Sequence, residues 1–238
     1  MIPLPNECYY QIFNNFQHDY KRLFSCALVN RQWCRIIIPI LWNEPEKHFK
    51  DIRFISTLLL MLNTEERAIL IPFNIIFPSH PKPLFEYTNY ITSINNDLDD
   101  GIENWLCYKT CARQREFENA IKYSLTAMLL RTSKNLKNLC INKIICTQII
   151  SENLYENTTI TSIFLYDING NFITNVINVL AKILYKSTTL TSLRLKSSLL
   201  KNREFKTLLE ALDKNTVLRS LDLLNNQIDF EERKEEKH

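Results

Sequence analysis

The chain has 238 residues, 45% of them hydrophobic, and a formal net charge of +3. That length and apolar content are enough for one or two ordinary hydrophobic cores. Nucleic-acid-binding proteins gather Lys and Arg into a patch that neutralises phosphates, whereas the basic residues of this chain are scattered. We therefore expect no nucleic-acid partner. The densest charged run, at 231–238, mixes both signs and is interpreted as a solvated, charged tail.

Glycine, cysteine and histidine usage exclude several kinds of catalytic or cofactor site. The chain contains only two glycines, so the glycine-rich loops that hold nucleotide phosphates are absent. Its seven cysteines are irregularly spaced, which indicates reduced thiols in the cytoplasm and/or nucleus and lacks zinc-finger spacing. None of the four histidines lies in a known local catalytic signature. We expect no enzyme activity, no cofactor and no metal site.

The apolar stretches do not predict a membrane protein. Residues 1–5 lack the basic and apolar regions of a signal peptide. The longest apolar stretch, residues 68–77, is interrupted by Pro72 and Asn74 and is far short of the roughly 20 residues that span a bilayer. We expect no membrane span.

The first 45 residues predict a compact unit of three helices. Pro5 suits the first turn of a helix, and Asp19 and Asn30 are placed to cap the second and third helices. Pro39 is expected to disturb the third helix before Leu41. Apolar residues at helical spacing predict the buried faces: Cys8, Tyr9, Ile12, Phe13 and Phe16 in the first helix, Leu23, Phe24, Ala27 and Leu28 in the second, and Trp33, Cys34, Ile37 and Ile38 in the third.

Residues 46–131 predict a connecting region that is helical but broken by prolines. Helical periodicity covers 48–62, and another short helix is expected to start near Thr64. Four prolines between 72 and 83 divide the next stretch into turns and extended pieces. The region ends in an amphipathic helix predicted at 113–130, whose apolar side carries Phe117, Ile121, Leu125, Met128 and Leu129.

Residues 132–230 contain an internal repeat. The pattern apolar-x-x-apolar-x-apolar begins at Leu136, Ile160, Leu190 and Leu218, and helical stretches lie between the copies. One strand and one helix per unit cannot bury their apolar sides alone, whereas stacked units form a continuous core. The alternative, chance apolar spacing, would not supply matching helices between the copies. We therefore predict four stacked strand–helix units.

The N-terminal segment resembles the F-box family. The resemblance is carried by Leu4-Pro5-x-Glu7, by Ile12-Phe13, by Ser25-Cys26-x-Leu28-Val29-Asn30-Arg31-x-Trp33-Cys34, and by Pro39-x-Leu41-Trp42. It departs from the family at Phe16, where a leucine is usual, and at Asp19-Tyr20, where Asp-Leu is common. The chain is similar to large fungal sets of F-box proteins, in which a proline-broken middle and repeats follow the F-box.

The F-box resemblance implies binding to the Skp adaptor and, through it, to a cullin ubiquitin ligase. Five side chains carry more apolar surface than so small a core can hide, and we expect them to bind the adaptor: Leu4, Pro5, Ile12, Phe13 and Val29. Trp33 and Trp42 are interpreted mainly as internal packing. The alternative is that all of these side chains fill the core of a single domain.

The C-terminal repeats resemble leucine-rich repeats of the long, helix-bearing kind found in ribonuclease inhibitor. Leu221-x-Leu223-x-x-Asn226-x-Ile228 is the best copy of that motif, and its Asn is expected to bond backbone groups in the turn after the strand. The two resemblances together imply an α/β fold: a three-helix F-box at 1–45, the connecting region at 46–131 and a ribonuclease-inhibitor-like leucine-rich-repeat solenoid at 132–230.

Side chains that alternate with the buried positions of each strand are expected to face outward, on the concave surface, and to bind a target protein. Aromatic and Arg side chains most often anchor interfaces, so Phe164, Tyr166 and Arg194 are the preferred target contacts. Lys196 and Asp222, on the same surface, complete the expected set. The hypothesis is a substrate receptor of a Skp–cullin–F-box ubiquitin ligase. The alternatives are an F-box protein that acts outside ubiquitination and a leucine-rich-repeat interaction scaffold whose N-terminal helices only cap the repeats.

Overall fold

The computed structural model describes residues 4–43, 45–74, 83, 85–110, 115–142, 148–168, 170–198 and 200–226. Its α-helices are α1 (Asn6–Asn14), α2 (Tyr20–Ala27), α3 (Arg31–Asn43), α4 (Ile52–Leu60), α5 (Thr64–Ala68), α6 (Asp97–Thr110), α7 (Arg115–Thr132), α8 (Gln148–Glu156), α9 (Gly170–Lys186) and α10 (Asn202–Lys214). Its strands are β1 (Ser93–Ile94), β2 (Asn138–Asn142), β3 (Ser162–Tyr166), β4 (Ser192–Lys196) and β5 (Ser220–Asp222). Short 3₁₀ helices lie at Pro45–His48, Ile71–Phe73 and Tyr87–Tyr90.

Helices α1, α2 and α3 form a unit with its own small core. The predicted caps are confirmed: Arg22 N–H donates to Asp19 Oδ1 at 3.2 Å, and Trp33 N–H donates to Asn30 Oδ1 at 2.8 Å. The buried core consists of Phe13, Leu23, Ala27, Ile37 and Leu41. The expected disturbance at Pro39 is wrong, because α3 continues through it to Asn43. Burial of residues 37 and 41 on either side holds the helix despite the lost N–H donor.

The middle of the chain is more regular than its prolines predict. The expected start of a helix at Thr64 is confirmed, and its cap is a reciprocal pair in which Glu66 N–H donates to Asn63 Oδ1 and Asn63 N–H donates to Glu66 Oε2, both at 2.8 Å. Helix α6 was not predicted. At Gly101 of α6, an added Cβ would lie 1.8 Å from the Phe49 carbonyl oxygen. Glycine therefore lets α6 contact the backbone of the preceding segment directly.

Helix α7 confirms the predicted helix near 113–130 but is not amphipathic. Every residue from 124 to 130 is buried, including Ser124 and Thr126. The Ser124 hydroxyl donates to the Glu66 carbonyl at 2.9 Å and, within α7, to the Ala120 carbonyl at 3.0 Å. Helix α7 is therefore covered on several sides by other elements, and the buried Ser124 hydroxyl is satisfied by internal hydrogen bonds.

The five strands form one parallel sheet in the sequential order β1-β2-β3-β4-β5. The register aligns equivalent positions of the sequence repeat, so that Leu139, Ile163, Leu193 and Leu221 are neighbours across the sheet. Strand β1 extends the sheet by one strand that the repeat did not predict, through the pairing of Ile94 with Leu139. The predicted mixture of a helical N-terminus with helices and a parallel sheet is confirmed.

The turns that enter β3, β4 and β5 have the same construction. Asn157, Ser187 and Asn215 each lie three residues before the first apolar residue of a repeat. Each side-chain oxygen accepts two backbone N–H groups from the residues that follow, at 2.7–3.2 Å. The predicted role of Asn226 is also confirmed, because its amide donates to the Leu195 and Leu223 carbonyls at 2.8 and 2.9 Å.

Trp42 joins the three-helix unit to the rest of the molecule. Its ring stacks on Phe54, with centroids 4.6 Å apart, and on Tyr87, with centroids 4.5 Å apart. It packs against both hydrophobic cores. The Asn43 carbonyl beside it accepts the Thr92 N–H at 3.1 Å, immediately before β1. The three helices and the sheet are thus connected through packed side chains and the backbone.

Within the ranges given above, no helix combines the length and the apolar character needed to cross a bilayer.

Candidate functional site

The three-helix unit presents apolar side chains that the described chain leaves uncovered. Leu4, Ile12, Leu28 and Val29 are 49%, 44%, 72% and 60% exposed, and Pro5 is also exposed. Exposure of clustered large aliphatic side chains to water is energetically unfavourable, and such exposed clusters mark interaction sites. We call these five residues the N-terminal apolar surface.

Contacts between the helices bring the parts of this surface together. Gln32 Nε2 donates to Asn6 Oδ1 at 2.9 Å, so the start of α1 lies beside the start of α3. Leu4 and Pro5 precede α1, and Val29 precedes α3, so both segments are at this same end of the unit. Ile12 lies seven residues after Pro5, about two helical turns along the same side of α1.

Phe13 corrects the expected set of adaptor-binding residues. It is only 3% exposed and belongs to the core of the three-helix unit. Its ring meets Trp33 edge-on at 5.0 Å and stacks near Tyr9 at 6.2 Å. The core-facing side of α1 therefore carries Tyr9 and Phe13, and Phe16 packs against the same core just after the helix. Cys8 and Ile12, also predicted to be buried, are exposed. Phe13 can orient the surface but does not lie on it.

Helix α2 and its C-terminal end carry a second exposed apolar stripe, and two of its residues, Phe24 and Leu28, were predicted to be buried. Tyr20, Phe24 and Leu28 recur every four residues, and each is more than 40% exposed. The opposite side of the helix supplies the buried Leu23 and Ala27. Tyr20 and Phe24 line an open pocket of about 670 Å³ that reaches Trp42 and Phe54. This exposed stripe could have been predicted from the sequence, because α2 has more apolar residues than one helix face can bury.

The outer face of the sheet brings the predicted target-binding residues into two rows. In each central strand the buried and outward positions alternate as predicted. One row runs across the sheet through Cys140, Phe164, Arg194 and Asp222, and the next runs through Asn142, Tyr166 and Lys196. The helices pack against the opposite, apolar face. All five predicted target contacts therefore lie on one face.

Arg194 is fixed between its neighbours in the first row. Its guanidinium lies 5.2 Å from the centre of the Phe164 ring, and its Nε lies 3.1 Å from Asp222 Oδ2. The charge of Arg194 is therefore paired within the chain, and the guanidinium orients the Phe164 ring. Lys196 is exposed.

Tyr166 is connected to a cluster of charged side chains from α6 and α7. Its hydroxyl lies 3.5 Å from Asp99 Oδ2, which also contacts Lys122 Nζ at 3.3 Å and accepts a hydrogen bond from the Asn142 amide. Lys122 also pairs with Glu118 at 2.9 Å. Burial raises the pKa of Asp99 and of Tyr166, and the nearby Asp99 carboxylate raises the pKa of Tyr166 further. Tyr166 thus has a structural partner in addition to its position on the outer face.

Cys140 is not a reactive thiol in this setting. Burial, with a further contribution from Asp99, raises the pKa of Cys140 to about 12. Its Sγ donates to Asn96 Oδ1 at 3.0 Å. A thiol must lose its proton to act as a nucleophile or metal ligand. Among the described residues, no cluster of three His, Cys, Asp or Glu side chains is placed to hold a metal ion.

Comparison with known families assigns the three-helix unit. An F-box-like domain is present at residues 2–47, the segment that contains α1, α2, α3 and the exposed apolar residues described above. A search of curated proteins and a search of solved structures found no match to this chain.

Proposed function

We propose that this chain is the substrate-recognition subunit of a Skp–cullin–F-box ubiquitin ligase. In this proposal the F-box-like domain docks the Skp adaptor, and the parallel-sheet region binds the target protein. The observation that carries the proposal is the F-box-like domain at 2–47, in which the apolar side chains of Leu4, Ile12, Leu28 and Val29 are each more than 40% exposed in the described chain.

The size of the F-box-like domain supports a docking role. Its core has five buried residues, and a domain this small gains little stability from burial within itself. Each large side chain removed from water contributes about 1.5–3 kcal/mol. Covering the N-terminal apolar surface with a partner would therefore favour a stable complex.

The parallel sheet supports an assignment to leucine-rich repeats. Strands β2 to β5 follow one another in sequence order, with a helix packed between consecutive strands, and the turns entering β3 to β5 share one hydrogen-bonding pattern. We propose that these are ribonuclease-inhibitor-like repeats and that their outer face is the target-binding surface.

The proposed role requires no chemistry from this chain. Ubiquitin transfer would speed up because the target and the charged conjugating enzyme are held in one assembly, which raises their effective concentration. Trp42, stacked between Phe54 and Tyr87, links the docking domain to the sheet and would fix the distance between them. We propose that the protein acts in the cytoplasm and/or nucleus and is not itself an enzyme.

Co-purification of the full chain with a Skp adaptor tests the docking proposal. Leu28→Arg and Val29→Arg place a charge on the exposed surface without touching the core. Loss of one buried large side chain corresponds to roughly ten- to hundredfold weaker binding, and a charge in its place weakens it further. Leu209→Arg, at another exposed leucine that lies on α10 and outside the F-box-like domain, is the control and should bind normally.

The same experiment separates the proposal from its alternatives. Equal binding by the Leu28→Arg and Leu209→Arg variants would contradict docking through the N-terminal apolar surface. Failure of the unmodified chain to bind any Skp adaptor would favour an interaction scaffold without a ubiquitination role. Adaptor binding without accelerated ubiquitination of a bound target would favour an F-box protein with another role.

A further inference from the structure

An open groove of about 460 Å³ lies on the outer face of the sheet, between the loop that follows β1 and strands β2 and β3. Its wall includes Asn95 and Asn96, and its floor includes Asn138, Ser162 and Phe164. This part of the face is next to the expected target contact Phe164 but lies away from Lys196 on β4. Small-molecule sites usually enclose most of the ligand surface, whereas this groove is open along the face of the sheet.

The groove has polar groups without internal partners. Within the described part of the chain, the side chains of Asn138 and Ser162 make no hydrogen bond, and Asn96 uses only its oxygen, which accepts from Cys140. An asparagine amide offers both donors and acceptors, and a serine hydroxyl does the same. A covered peptide backbone needs both kinds of partner, because each residue carries one N–H and one C=O.

The lining of the groove has no unpaired charge. Asp97 is the one formally charged residue among the described residues that line it, and Lys50 Nζ lies 2.9 Å from its carboxylate. The nearest guanidinium, that of Arg194, is already held by Asp222. A phosphate or carboxylate entering the groove would lose its hydration without gaining a free cation, which is unfavourable.

Apolar contact in the groove is provided by Phe164. One side of its ring lies against the Arg194 guanidinium, and Tyr166 is 5.5 Å away. These neighbours hold the ring in place, so a ligand side chain meets a preorganised aromatic surface.

We propose that this groove binds an extended, uncharged peptide segment of the target protein, anchored by one large apolar side chain against Phe164. Asn96, Asn138 and Ser162 hydrogen-bond the main chain of that segment. The inference rests on the proposed function, since it specifies what the target-binding face recognises. It also reduces the set of expected target contacts, because Lys196 does not line the groove and would contribute little to binding.

Selection of random 12-residue peptides displayed on phage, against the purified full chain, tests the inference. The selected peptides should share one large aliphatic or aromatic residue, flanked by uncharged positions. Peptides synthesised from that consensus are then titrated by fluorescence anisotropy. Phe164→Ala should weaken binding about ten- to hundredfold, and Asn138→Ala, at an exposed site that leaves the fold intact, by about three- to tenfold. Lys196→Ala should change it less than twofold.

Three results would overturn the inference: no enriched peptide, acidic peptides that depend on Lys196, or peptide binding that survives both Phe164→Ala and Asn138→Ala. The Val29→Arg variant separates this inference from the proposed function. It should bind the peptide normally while losing the Skp adaptor. Peptide binding without any adaptor binding by the unmodified chain would refute the ligase proposal and leave the peptide site standing.

Discussion

Replacement of Trp42 by alanine should uncouple the F-box-like domain from the sheet. Trp42 packs against both hydrophobic cores and stacks on Phe54 and Tyr87. The small core of the domain contains only five buried residues, so the domain depends on this contact for part of its stability. In the unmodified chain we expect the two cores to unfold together.

The magnitude follows from the contacts of the indole ring. Removal of a large aromatic side chain from a core costs about 3–5 kcal/mol, and each aromatic pair adds about 0.5–1.5 kcal/mol. Trp42 keeps part of its surface exposed, so we expect a cost somewhat below this range, about 2–3 kcal/mol. With a slope near 1 kcal/mol per molar urea for a small unit, the midpoint of the F-box-like domain should fall by about 2–3 M.

The three tryptophans of the chain allow each core to be followed separately. Trp33 lies in the F-box-like domain, and Trp105 is buried in the larger core. Trp42→Ala is combined with Trp105→Phe to follow Trp33 fluorescence, and with Trp33→Phe to follow Trp105 fluorescence, during urea unfolding. The controls carry Trp42→Phe instead, which keeps an aromatic ring between the stacking partners.

The Trp33 signal should change first in the Trp42→Ala proteins, while the two signals should coincide in the Trp42→Phe proteins. Coincident transitions in both sets, or a Trp33 midpoint that moves by less than about 0.5 M, would refute the role assigned to Trp42.

Three further outcomes follow from polar side chains that form internal hydrogen bonds. Glu66→Ala removes the carboxylate of a residue that is 4% exposed and that accepts two hydrogen bonds from Arg131, at 2.8 and 2.9 Å. We expect the unfolding free energy to fall by about 2–3 kcal/mol, which is less than the full cost of breaking a buried pair because Arg131 is partly exposed. Asn226→Ala leaves backbone groups of the last described turn unpaired and should lower the melting temperature, with a cost of about 1–2 kcal/mol by calorimetry. Cys140, whose pKa is raised to about 12, should stay unmodified by iodoacetamide at pH 8 while the exposed Cys8 reacts, as read by mass spectrometry; alkylation of both at equal rates would contradict the burial of Cys140.

The repeated strands could be predicted because their pattern is redundant. Each copy places three apolar residues at fixed offsets, and neighbouring copies pair those same offsets across the sheet. Strand β1 could not be found in this way, since it has only two residues and pairs through the Thr92–Ile94 backbone. Helix α6 begins with three aspartates and mixes polar with apolar residues, so its burial depends on the contact of Gly101 with Phe49 rather than on its own periodicity.

The exposed apolar residues of the three-helix unit were partly predictable for a related reason. Apolar residues at helical spacing show that a helix has an apolar side, but not which of two apolar sides meets its neighbours. In α1 the core takes Phe13 and leaves Ile12 outside. In α2 the core takes Leu23 and leaves Phe24 outside. Only the packing of α3 against both helices decides between these sides. The grouping of Asn96 with Asn138 and Ser162 in one groove could not be predicted, because these residues come from a loop and two strands far apart in sequence.

Hydrogen exchange on the full chain, alone and bound to a Skp adaptor, tests the docking proposal most directly. We predict that the adaptor slows amide exchange in residues 4–12 and 28–33, around the N-terminal apolar surface, and leaves β3 and β4 unchanged. Unchanged exchange in both N-terminal segments, or slowing confined to the strands of the sheet, would contradict docking through that surface.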